Sequence, residues 1–181
     1  MWWSWSGISA VPRRGRGAVA PRTGCRDHQR SRVYRWEQSC VFPHHPERLS
    51  LDECRRLVEE AYRWLEPAAS QRPGWRPPRV GDGRGRRHAC GSREVIRLPR
   101  WARTAPIVLH ECAHGVTPDK HGPFFVRVYV ELLHRFLGMP REALLAGLAE
   151  ARIAVAATPV AAVNGSAAGG NGRGRPRKAG S

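Results

Sequence analysis

Apolar and polar positions along this chain follow two rhythms. Leu51, Cys54, Leu57, Val58, Ala61, Tyr62 and Leu65 recur every three or four residues, the spacing of one face of a helix. Ser50 and Glu53 stand ahead of that face as a capping box, and Pro67 ends it. Arg55, Arg56, Glu59, Glu60 and Arg63 fall on the opposite, solvated face. Phe124, Phe125, Val128, Leu132, Phe136 and Leu137 mark another helix, with Gly122 and Pro123 in its first turn and a break at 138–140. Leu144, Leu145, Leu148 and Ile153 predict a last helix over 141–157. Between 79 and 98 the period shortens, and residues 79–81, 86–90 and 94–98 read as three short antiparallel strands joined by glycine turns. Val33, Tyr34, Trp36 and Val41 alternate in part, so 27–41 is expected as an extended segment lying along the domain.

One apolar run carries chemistry. Ile107-Val108-Leu109-His110-Glu111-Cys112-Ala113-His114 contains H-E-x-x-H, with Thr104 as the cap of its helix and Gly115 and Pro118 as its stop. At 3.6 residues per turn, His110 and His114 lie on nearly one face, where two imidazoles can converge on a metal ion. That pattern suits a zinc hydrolase, in which a third protein ligand completes the set and an open position carries water. Glu111 is then the general base. Seven residues past His114 comes His121, followed by Gly-Pro-Phe-Phe, and residues 117–120 can turn the chain so that His121 returns to the ion. Glu131 is the other candidate third ligand. Tyr129, His134 and an arginine are the candidates for stabilising an oxyanion, and Glu131 and His134 could also orient a ligand or pair on the surface. His44, His45 and His88 read as surface residues.

The order H-E-x-x-H then H-G-P-x-F resembles the SprT-like and WLM-type zinc metallopeptidases. Together with 27–34 (DHQRSRVY), Gly91-Ser92-Arg93 and 98–103 (LPRWAR), it is also similar to a short family of metallohydrolases from high-G+C bacteria. The resemblance covers roughly 27–152. It implies an α+β, zincin-like single domain, with a small antiparallel sheet packed on the metal helix and two or three further helices around it. It places Zn²⁺ on His110, His114 and His121 and the base on Glu111, and assigns recognition of an extended peptide to a strand within 84–98. The spacing departs from the metzincins, because Gly115 follows His114 directly. SprT-like proteases act on proteins attached to DNA, which makes a peptide or protein the expected substrate.

Composition adds a second theme. The formal charge is +16 over 181 residues. Residues 26–157 hold 23 basic and 15 acidic side chains, and the other eight basic residues lie in the two ends. Such an excess favours polyanions. The boundaries drawn are a basic, disordered extension at 1–25, the metallohydrolase domain at 26–157, and a disordered tail at 158–181. In that tail Arg173-Gly174-Arg175-Pro176-Arg177-Lys178 resembles an AT-hook, which lies along the minor groove of A·T-rich DNA. The alternative to an enzyme is therefore a nucleic-acid-associated protein with a structural or idle zinc site. Five cysteines without a C-x-x-C pair point to reduced thiols and a cytoplasmic location. Met1-Trp2-Trp3-Ser4-Trp5 lacks a basic leader and is read as no export signal, and no apolar run is long enough for a membrane span. Oligomeric state leaves no mark in the sequence.

Overall fold

A computed structural model describes residues 27–157; the extension, its tryptophans and the AT-hook-like residues Arg173 to Lys178 lie outside the described residues. The described region is α+β, with six α-helices and one small mixed sheet. The helices are α1 (Arg30–Trp36), α2 (Leu51–Leu65), the single turn α3 (Pro67–Ser70), α4 (Ala105–Val116), α5 (Pro123–Leu137) and α6 (Arg141–Glu150). No helix among the described residues is long and apolar enough to cross a membrane.

Helix α4 sits at the centre, between α2 and α5, because it is apolar nearly all round: Val108, Leu109, Cys112 and Ala113 are fully buried. Its neighbours are amphipathic and present one face each. Cys54, Val58, Ala61, Tyr62 and Leu65 of α2 pack inward, and the capping box forms as read, Ser50 Oγ accepting from Glu53 N and Ser50 N donating to Glu53. On α5 the buried set is Phe125, Val126, Val128, Tyr129, Val130, Leu132 and Leu133. Of the stripe expected from the sequence, Phe125, Val128 and Leu132 are buried and Phe136 and Leu137 pack on the core, while Phe124 is 43% exposed. The start of α5 is fixed by Asp119, whose carboxylate accepts from Phe124 N (2.8 Å) and Phe125 N (3.1 Å). A Cβ on Gly122 would strike that carboxylate.

Four expectations need correction. Residues 27–41 are helical: α1 runs into a wider, π-helical stretch at Glu37–Val41. Val33, Trp36, Cys40 and Val41 meet the core at helical spacing, and that period outweighs the partial alternation of Val33, Tyr34 and Trp36. The sheet is mixed, in the order β1-β3-β2, with β1 (Arg79–Gly81) parallel and β2 (Cys90–Gly91) antiparallel to β3 (Val95–Arg97). The tight turn falls at 92–94, where the Ser92 hydroxyl binds Glu94, so β2 occupies one edge of β3 and β1 takes the other. The strand read at 86–90 shrinks to Cys90–Gly91, since 84–88 is an exposed loop. Helix α6 ends at Glu150; Ile153 is still buried, but from the segment beyond it.

Candidate metal centre

His110 and His114 leave α4 one turn apart, and the turn between α4 and α5 brings His121 against them. Lys120, at φ 56°, reverses the chain there, and Gly122 N donates to Asp119 O at 2.8 Å. His114 Nε2 lies 3.1 Å and His121 Nε2 3.3 Å from His110 Nε2. For nitrogens about 2.0–2.1 Å from a tetrahedral ion, two donors sit about 3.3–3.4 Å apart. The three histidines therefore form a group that could hold a metal ion, with His110 and His121 buried and His114 half-buried.

The opposite ring nitrogens are already engaged. Glu37 Oε1 stands 2.7 Å from His110 Nδ1, and Asp27 Oδ2 stands 2.7 Å from His121 Nδ1. Carboxylates accept, so both Nδ1 atoms carry the proton and each neutral ring turns a lone pair on Nε2 toward its neighbours. Such convergence is repulsive unless a proton or a cation lies between the rings. These carboxylates are what a metal-binding histidine ordinarily needs to fix its tautomer. Gln29 anchors the same corner: its Nε2 donates to His121 O (3.0 Å) and Ala154 O (3.1 Å), and its Oε1 accepts from Ala154 N (2.9 Å).

Charge follows this geometry. Burial alone would lower the His110 pKa, but the charge and hydrogen bond of Glu37, helped by Glu111, turn the net shift upward. His114 falls to about 3, through burial first and then the positive charge of His110 and His121 when protonated and of Arg30. His121 is also lowered, chiefly by burial, with Asp27 opposing. Burial pushes the Glu111 carboxyl up to about 7 despite an N–H from Gly91.

Glu111 is buried but opens on a cavity of about 310 Å³, shared with His110, Tyr34, Arg30, Phe42 and Trp101. Phe42, Trp101 and Ile107 among its walls can take an apolar group. The edge strand β2 closes over the same helix turn. A Cβ on Gly91 would collide with the Glu111 carbonyl oxygen, so only glycine lets strand and helix meet there.

The remaining candidates are placed elsewhere. Glu131 pairs with Arg141 (2.5 Å) and Arg127 (3.6 Å) and does not join the histidines. His134 Nδ1 is bound to Met139 O at 2.8 Å. Tyr129 is buried behind His110, its hydroxyl facing Pro106 O and the Glu37 carboxylate, so it supports the histidine instead of facing the cavity. His88 is exposed on the cavity's rim, and neither His44 nor His45 belongs to the metal-binding group. The residues that sequence reasoning missed as site residues are Asp27, Tyr34 and Glu37. With Arg30 they recur every three or four positions, Asp27 just ahead of α1, Arg30 and Tyr34 on it and Glu37 at the start of the π-helical stretch, and that spacing is the available signal.

No family model matches the chain, and no curated protein or solved structure matches it.

Proposed function

We propose that this chain is a zinc-dependent hydrolase of zincin-like fold that cleaves a peptide or protein, with Glu111 as general base. One observation carries the reading. Three imidazoles turn their Nε2 atoms on one point, two of them backed by buried or half-buried carboxylates, with a further carboxylate beside them on a cavity. Three imidazole nitrogen donors suit Zn²⁺. When bound, Zn²⁺ supplies Lewis acidity, lowering the pKa of water toward about 7 and polarising a carbonyl.

The protein's own groups do the rest. Asp27 and Glu37 hold two rings in the tautomer that presents Nε2. Glu111 takes the proton from the attacking water and passes it to the leaving amine. A structural metal site has no use for a carboxylate so placed, which favours an enzyme over an idle site. The resemblance to SprT-like peptidases and to the high-G+C bacterial metallohydrolases agrees with this reading, by analogy. The +16 charge supports the accompanying proposal that the protein works near nucleic acid, with residues 173–178 contacting it.

Metal analysis together with two variants tests the proposal. The wild type binds one zinc per chain and cleaves a DNA-bound protein substrate; His121→Ala loses the zinc; Glu111→Gln keeps it and loses cleavage. Zinc retained with no Glu111-dependent cleavage would instead support the nucleic-acid-binding reading.

A further inference from the structure

Tyr34 reaches the site from α1. Its ring stands edge-on to His121, centroids 5.0 Å apart, and 5.9 Å from the ring of His110. It is half-buried and lines the cavity on which Glu111 opens. The Arg30 guanidinium lies over the Tyr34 ring, 5.3 Å from its centroid. An arginine has donors and no acceptor. Any hydrogen bond between the two therefore runs from Arg30 to the Tyr34 oxygen and leaves the phenol proton free. A cation beside the phenol also polarises the O–H and strengthens it as a donor.

Hydrolysis of an amide builds negative charge on the former carbonyl oxygen, and a fixed donor aimed at it is among the larger contributions to rate. Tyr129 and His134 are turned elsewhere, as described above. Gln38 and His88, also on the cavity wall, are exposed and make no ring contact with the histidines. Tyr34 alone among these donors touches the histidines and faces the cavity.

We propose that Tyr34 is a catalytic residue that donates its phenol hydrogen bond to the substrate oxygen becoming anionic, and that Arg30 is the positioning residue behind it. This rests on the hydrolase reading above. The experiment compares zinc-loaded wild type, Tyr34→Phe, Arg30→Met and Arg30→Lys in two measurements. The first is calorimetric binding of inorganic phosphate, a tetrahedral oxyanion that requires no turnover. Tyr34→Phe weakens it by about tenfold, Arg30→Met weakens it less, and Arg30→Lys restores most of that loss. The second is cleavage: Tyr34→Phe lowers kcat about a hundredfold, with KM and zinc stoichiometry unchanged.

Phosphate binding equal to wild type in Tyr34→Phe overturns the proposal whatever the turnover. Loss of zinc or of the fold in Tyr34→Phe, with Arg30→Met normal in both measurements, also overturns it, because the ring would then be a structural support for His121. Weakened phosphate binding without Glu111-dependent cleavage by the wild type overturns the hydrolase reading, and with it the role in turnover.

Discussion

Glu37 Oε1 lies 2.7 Å from His110 Nδ1, although 73 residues separate them in the chain. The carboxylate is 2% exposed, beside a histidine that is itself buried. A buried carboxylate needs a compensating partner, and here it has the imidazole N–H. Glu37→Gln keeps the shape but removes the charge that fixes the ring. The expected result is a protein that still folds and binds zinc about 10–100-fold more weakly, measured by competition with a chromogenic chelator. Unchanged affinity would show that Glu37 serves packing alone.

Metal uptake is expected to release protons. In the metal-free site the His110 pKa lies above its usual 6.5, and Glu111 sits near 7. His114, at about 3, and the lowered His121 are already neutral near neutrality. A cation displaces protons from the raised groups, so apparent zinc affinity climbs as pH rises toward their pKa values and levels off above them. Calorimetry at about pH 6.5, in buffers of differing ionisation enthalpy, reads the protons released per zinc. A value of zero would contradict the charge arrangement described.

The contact between β2 and α4 makes a stability prediction. Gly91→Ala places a methyl group against the Glu111 carbonyl oxygen, and backbone meets backbone there with nothing flexible to yield. The strand must lift from the helix at a cost of about 1–3 kcal/mol, read by urea denaturation. Zinc-dependent cleavage falls with it. Gly85→Ala is the contrasting change: its added Cβ meets nothing within 4 Å, though φ of +77° makes it strained for another reason.

Four basic residues lie at Arg173, Arg175, Arg177 and Lys178. Deleting 159–181 is expected to weaken binding to A·T-rich duplex DNA and to reduce the salt dependence of log K by up to about 3.6, four contacts at about 0.9 each. An unchanged slope in a salt titration would remove the tail from the proposal and leave the hydrolase reading untouched.

Local patterns were legible and distant ones were not. H-E-x-x-H and His121 could be read because 11 residues and one turn span them. The capping box could be read because Ser50 and Glu53 are three residues apart. Asp27 and Glu37 are 94 and 73 residues from the rings they hold, and nothing local marks a carboxylate as the partner of a remote imidazole. The same stretch was also assigned the wrong period. Arg30, Tyr34 and Glu37 follow one helical face with Asp27 just ahead of it, and the partial alternation of Val33, Tyr34 and Trp36 masks that period. Glu131 shows the reverse case: its position was plausible for a ligand, yet Arg141 and Arg127 lie nearer to it than any histidine of the site and take its charge.

Gln29, near the start of the described region, and Ala154, near its end, meet through paired amide bonds. The two ends are thus neighbours, and a short linker there would tolerate a circular permutation opened in the exposed loop at 84–88. In such a rearranged molecule every group that supports the imidazoles would stay on its own element, because the architecture depends on which segments touch and not on which is made first.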